Sequence, residues 1–256
     1  MTDATPPASR AADRRPALIL GAGSDMGREV AKLLAAKGRP IQLAGRRPEA
    51  LERDAADLRT RFDVPVTTHA WDATDLASAG AFLDALPQTP AIVLCAVGLL
   101  GEQEETQDDP AKIAEIVATN FTGPAVTLEA AAARLATLPG KTAVVGIGSV
   151  AGDRGRARNY WYGAAKAGFA TMLSGLRQRY AATDLLVTLV RPGFVATSMT
   201  EGMDLPKPLV ISAEAQAKLI VDGIEKRRHH VIHWKWALLM TVIRNLPEAI
   251  FLKTRF

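Results

Sequence analysis

Seven short runs of β-branched and aliphatic residues, separated by stretches of helical periodicity, govern what this chain can fold into. They are ALIL at 17–20, PIQLA at 40–44, VPVTTHA at 64–70, AIVLCAV at 91–97, TAVVGI at 142–147, LLVTLV at 185–190 and HVIH at 230–233. Helices are predicted near 26–37, 48–61, 75–85, 110–136, 160–181 and 213–227. Runs that are apolar at nearly every position suit strands covered on both faces, as in a parallel sheet between two helical layers. The alternation therefore predicts an α/β chain: a Rossmann-type doubly wound parallel sheet of about seven strands. With 256 residues, 48% of them hydrophobic, the chain can bury one sizeable core. We expect one domain at 17–233, a disordered lead at 1–16, and an amphipathic C-terminal helix or tail at 234–256.

One cysteine, Cys95, excludes an intrachain disulfide and a cysteine-based metal site, and the four histidines are not at ligand spacing. No metal is expected; His229, His230 and His233 read as a solvated strand end. No stretch approaches the ~20 consecutive apolar residues of a membrane span, so a cytoplasmic chain, free or on the inner membrane surface, is expected. The net charge of +4 is uneven: residues 226–256 hold seven lysines and arginines against Glu248 alone, which leaves the rest of the chain acidic. A nucleic-acid footprint over the body is therefore not expected.

The first strand runs into GAGSDMG, with Gly21, Gly23 and Gly27 around Ser24, Asp25 and Met26. Glycines at a strand-to-helix turn let the backbone approach a pyrophosphate, which the helix N-terminus then attracts. The competing reading is a tight turn with no ligand. After the second strand comes Gly45, then Arg46 and Arg47. An acid here holds ribose hydroxyls, whereas arginine can meet a 2′-phosphate, so NADP(H) is favoured, with NAD(H) the alternative. Two solvated arginines starting the next helix are the plainer alternative.

Tyr162 and Lys166 stand four apart, on one face of a predicted helix. A free phenol has a pKa of about 10, and a nearby ammonium is expected to lower it toward usefulness. Ser149 follows TAVVGIG and so sits at a carboxyl strand end, where open α/β sheets bind ligands. Tyr160, followed at the same spacing by Ala164, has no such partner.

Together the glycine-rich turn, WDATD at 71–75, CAVG at 95–98, NFTG at 120–123, Ser149 ahead of YGAAK, and RPGFVAT at 191–197 make the chain resemble the short-chain dehydrogenase/reductase family over 17 to about 233. The resemblance implies an NAD(P)-dependent oxidoreductase, homodimeric or homotetrameric, with Asn120, Ser149, Tyr162 and Lys166 as its catalytic tetrad. By the same resemblance Asn120 holds a water that resupplies the proton, Asp72 contacts the adenine, Ala96 and Gly98 line the cofactor, Tyr162 and Lys166 also touch it, and Pro192, Gly193, Val195 and Thr197 grip the nicotinamide end. The family usually has glycine where Asp25 stands, threonine for Leu20, and asparagines for Cys95 and Ala96, which bears on cofactor affinity.

Within the family, AVGLLGEQEE, SVAGDRGRARNYWYGAAKAG, RPGFVATSM and WALLMTVIRNLPEAIF are similar to enzymes that reduce a 2-keto pentose carried on a polyprenyl phosphate. That likeness gives Arg154, Arg156 and Arg158 a phosphate to hold; a solvated charged loop is the competing reading. In the tail Trp234, Trp236, Leu239, Met240, Ile243, Leu246, Ile250 and Phe251 recur at near-helical spacing among Lys235, Arg244, Lys253 and Arg255. Such a helix can lie in the lipid headgroup region, or pack on the body or another subunit. Other functions open to this sequence are reduction of an acyl or steroid-type ketone and non-catalytic dinucleotide sensing.

Overall fold

The computed structural model describes residues 15–254, so most of the predicted lead lies outside the described residues. The strands are β1 (Ala17–Leu20), β2 (Ile41–Gly45), β3 (Val66–Ala70), β4 (Ile92–Cys95), β5 (Thr142–Ile147), β6 (Leu185–Val190), β7 (Val195–Ala196), β8 (Ile211–Ser212) and β9 (His230–Val231). The helices are α1 (Asp25–Ala35), α2 (Glu52–Phe62), α3 (Ala79–Asp84), α4 (Gln103–Thr106), α5 (Pro110–Val117), α6 (Gly123–Leu135), α7 (Tyr160–Arg179), α8 (Ala213–Glu225), α9 (Trp234–Asn245) and α10 (Glu248–Phe251). Seven strands form one parallel sheet in the order β3-β2-β1-β4-β5-β6-β9, while β7 and β8 pair separately. Chain order reverses between β1 and β4, which opens a crevice at their carboxyl ends.

Alternation along each strand explains the two helical layers. Ile19, Leu43, Leu94 and Val145 face Val30 and Leu34 of α1 and Ile220 of α8. Their neighbours Leu18, Leu20, Val93 and Val144 face Leu128 of α6 and Phe169 and Leu173 of α7. Each fully buried side chain of this size contributes roughly 1.5–3 kcal/mol, so continuous apolar runs are what a sheet covered twice requires.

Two departures from expectation have physical causes. The single helix predicted over 110–136 is broken by a π-turn at Ala118–Thr122 that carries Asn120, and just after it Gly123 presses on Ala73: a Cβ there would lie 1.6 Å from the Ala73 carbonyl oxygen. Such turns often carry functional residues. The C-terminal stretch, expected as a separate amphipathic tail, is instead part of the body. Helical spacing turns Trp236, Met240 and Ile243 inward against Val150, where they are buried. The outer row of Trp234, Leu238 and Val242 stays exposed, as do Ile250 and Leu252 beyond it. Among the described residues no helix is long and apolar enough to cross a membrane.

Candidate active site

The crevice after β1, β2, β3 and β4 is a cleft of about 580 Å³ lined by Gly21, Gly23, Ser24, Arg46, Arg47, Asp72, Ala96 and Gly98. Gly21 takes φ +74, and a Cβ on it would meet Val97 at 2.8 Å, so the first turn can be made only by glycine. Ser24 caps α1 by accepting from the Gly27 amide at 3.1 Å, which leaves the other first-turn amides of the helix facing the cleft. The Met26 side chain packs against the core, so Met26 can offer the cleft only its backbone amide. Arg46 and Arg47 are exposed, and their guanidiniums make no hydrogen bond or ion pair among the described residues. Asp72 accepts from the Thr74 amide and hydroxyl, both at 2.8 Å, and these bonds, helped by Arg46, hold its carboxyl below the ordinary range. The turn, the helix terminus and the two free guanidiniums fit a dinucleotide phosphate group.

Asp25 does something the sequence did not announce. Its carboxylate accepts from the Ser198 amide at 2.7 Å and the Ser198 hydroxyl at 2.9 Å, so its side chain ties the glycine-rich turn to the loop after β7 instead of facing a phosphate. A carboxylate beside a pyrophosphate would repel it, and this bond gives it another partner.

At the other end of the cleft, Lys166 is buried, and its ammonium donates to the Val97 and Ile147 carbonyls, each at 3.1 Å. An ammonium has three N–H donors, so one remains. Burial lowers its pKa to about 8, with the neighbouring Cys95 acting in the opposite sense. A methyl group on Gly98 would lie 3.6 Å from Asn120 Oδ1 and 3.8 Å from Lys166 Nζ, so these residues converge at the end of β4. Asn120 is fully buried: Oδ1 accepts from the Leu99 amide at 3.1 Å, and Nδ2 donates to Leu99 at 2.7 Å and Ile116 at 2.9 Å. Both side-chain amide hydrogens are thus spent on pinning the loop after β4, which leaves the oxygens of Asn120 as the groups able to hold the expected water.

Ser149, extended at φ −165, accepts from the Ala151 amide at 3.0 Å and stands beside the Tyr162 phenol. Burial raises the phenol above its usual value, and the Ser149 hydroxyl and the Arg156 guanidinium offset part of that rise. The expectation that Lys166 lowers it is corrected here, because the ammonium is turned onto two carbonyls and lies 5.8 Å from the ring centre. Arg156 is the cation beside the phenol.

The three arginines of this loop part company. Arg154 donates to the carbonyls of Ile243 and Leu246, both at 2.7 Å, and to Glu248 at 2.6 Å, and it stacks 3.8 Å over Phe251. It closes the end of α9 with three of its five N–H donors, which turns the guanidinium toward the C-terminal segment rather than toward the predicted phosphate contact. Arg158 is exposed. Gly193, Val195 and Thr197 also proved partly structural. A Cβ on Gly193 would fall 1.8 Å from the Trp236 ring, and Trp236 in turn donates to the Leu209 carbonyl at 2.9 Å and meets Phe194 edge-on at 4.9 Å. Pro192 accepts from Val150 through its carbonyl, Val195 is buried, and Thr197 caps the short turn Ser198–Thr200.

Comparison with known proteins agrees with this geometry. Residues 15–207 match the family described as short chain dehydrogenase. An uncharacterized oxidoreductase of Mycobacterium tuberculosis (strain ATCC 25618 / H37Rv) is 37% identical over 245 residues, covering 92% of this chain and 95% of that one. Among solved structures, a bulky-bulky ketone specific alcohol dehydrogenase from Comamonas testosteroni superimposes with a TM-score of 0.76 at 25% identity, covering 93% of this chain and 96% of that one. A short-chain dehydrogenase from Sphingobium yanoikuyae in complex with NADPH shares the fold at a TM-score of 0.76 and 24% identity, covering 91% and 97%.

Proposed function

This chain belongs to the short-chain dehydrogenase/reductase family of NAD(P)-dependent oxidoreductases acting on carbonyl or alcohol groups, and on that premise we propose that it reduces a bulky ketone with NADPH as preferred donor. The observation that carries the reading is the convergence of Ser149, Tyr162 and Lys166 at the carboxyl ends of β4 and β5, beside a cleft suited to a dinucleotide. The preference for NADPH is supported by Arg46 and Arg47, free where an acid would otherwise meet the ribose, and by the NADPH complex of the Sphingobium protein. The ketone class is supported by the Comamonas enzyme.

Bound NADPH supplies the hydride. The chain's own part begins with the ketone oxygen, which the Ser149 and Tyr162 hydroxyls hold between them. As negative charge grows on that oxygen, the Tyr162 phenol gives it a proton; burial keeps the phenol protonated at neutral pH and so ready to donate. Lys166 keeps its remaining N–H for the cofactor ribose, and Asn120 positions the loop that forms the cleft floor.

The narrower reading is a 2-keto pentose on a polyprenyl phosphate, as reduced by decaprenylphosphoryl-2-keto-erythro-pentose reductase. Its support is the likeness of loop and tail, and of its three arginines only Arg156 stays with Tyr162. The test of the main reading is NADPH oxidation across a panel of bulky ketones. Tyr162→Phe is expected to cut kcat by about 100-fold or more while NADPH still binds, measured by fluorescence titration. Cofactor binding without turnover of any ketone would instead favour a dinucleotide sensor.

A further inference from the structure

Side chains left without a bonding partner gather at one end of α7, next to Tyr162. Arg156 Nε, Trp161 Nε1 and Asn159 Oδ1 are buried with no hydrogen bond. So is Gln103 Nε2, although Gln103 Oε1 accepts from the Trp161 amide at 3.3 Å. Three of these four atoms are donors, so the chemistry that satisfies them is rich in acceptor oxygens. A buried donor left unmade costs about 1–3 kcal/mol, and a charged one more.

Arg156 is the most costly of the group. Its guanidinium has five N–H donors and spends none on the described residues. The carboxylate that acts on it, Asp153, is already held by Arg191 at 3.2 and 3.3 Å. The phenol of Tyr162 is neutral when protonated and supplies no counter-charge. Arg154 on the same loop is turned onto α9 and Glu248 and Arg158 is in solvent, so the loop presents one half-buried cation with unspent donors beside the proton donor.

We propose that Arg156 is a specificity-determining residue that receives an oxyanion, carboxylate or phosphate, carried by the ketone substrate within a few bonds of the carbonyl. The inference rests on the reductase reading and narrows its substrate class to ketones with an anionic group. A planar guanidinium takes such a group through two parallel hydrogen bonds and discriminates against the same skeleton with the charge removed. The same contact would place the carbonyl oxygen at Ser149 and Tyr162, because the guanidinium and the proton donor are neighbours.

Two matched pairs test this with NADPH: 5-oxo acids against their methyl esters, and dihydroxyacetone phosphate against dihydroxyacetone. The native enzyme is expected to prefer the anionic member of at least one pair by about 30-fold in kcat/KM, and Arg156→Gln to bring that ratio within about threefold. The pair that responds tells carboxylate from phosphate. Arg158→Gln, on the same loop but in solvent, should keep the preference. Calorimetry of inorganic phosphate binding to the NADP-loaded protein reads the subsite without turnover, and binding should be lost in Arg156→Gln. The proposal is overturned if the native enzyme shows no anion preference and no phosphate binding. It is equally overturned if Arg156→Gln lowers both members of a pair alike and shifts the pH profile, since Arg156 would then act only on the phenol. Absence of any ketone turnover with phosphate binding intact would sink the reductase reading and leave this subsite standing.

Discussion

Arg46 and Arg47 after β2 and Arg154 after β5 carry the same side chain under opposite conditions. The first two end a strand at the cofactor cleft with every donor unspent. Arg154 satisfies two helix-end carbonyls and a carboxylate and lies over an aromatic ring. A cation whose donors are used by its own chain is a joint; one whose donors are idle where phosphate chemistry is expected is a binding surface. Both loops are basic in sequence, yet on the proposed reading the one after β2 is basic in the sense that a ligand would feel and Arg154 is not. Arg156, four residues before α7 begins and on the same loop as Arg154, belongs with the second kind.

The largest effect expected from breaking this contrast is at the joint. Gly193→Ala forces a Cβ to within 1.8 Å of the Trp236 ring, and we expect about 3 kcal/mol of lost stability in urea denaturation. In a Trp236→Ala background the same substitution should cost less than about 1 kcal/mol, because the obstructing ring is gone. Equal costs in the two backgrounds would mean that the C-terminal helix does not seat on the loop after β6. Removing residues from 234 onward should for the same reason unseat Val150, the neighbour of Ser149, rather than release a dispensable tail.

Arg154→Ala comes next. It strips the cation from the end of α9 and leaves the carbonyls of Ile243 and Leu246 without their donor. The expected cost is about 2 kcal/mol in the same denaturation experiment, with the Kd for NADPH unchanged. A loss of NADPH affinity at full stability would move Arg154 to the other side of the comparison.

How much of this was legible in the sequence follows from the range over which each feature is determined. The strand runs are local, and ALIL, TAVVGI and LLVTLV coincide with β1, β5 and β6 because alternation within four to six residues decides both sheet faces. The turn at Gly21 is local too, being fixed by a positive φ. The fate of the loop arginines is not. Arg154 is decided by carbonyls about ninety residues further on, and Asp25 by Ser198, 173 residues away. No spacing within Arg154, Arg156 and Arg158 distinguishes the three. The π-turn at Ala118–Thr122 was hidden for a related reason: helical periodicity continues through it, and only the pull of Asn120 on Leu99 and the pressure of Gly123 on Ala73 disclose it. The stripe in the last segment was readable as a helix, but its inward face became visible only with Val150 against it.

The smallest stability effect belongs to the free arginines, and it is also the sharpest test of the contrast. Arg46→Gln and Arg47→Gln remove no intramolecular bond, so each should leave stability within about 0.5 kcal/mol of the native value. What they remove is charge that meets a 2′-phosphate, so together they should raise the KM for NADPH by about tenfold while leaving that for NADH nearly unchanged, as a cation lost from a phosphate contact costs more than one lost from a hydroxyl. The ratio of the two KM values is the quantity to measure, because it cancels any general damage to the cleft. If NADPH and NADH weaken in step, the two guanidiniums serve the shared part of the cofactor, and the neighbouring Asp72, held ionised by Thr74 and Arg46, becomes the residue that must discriminate at the ribose.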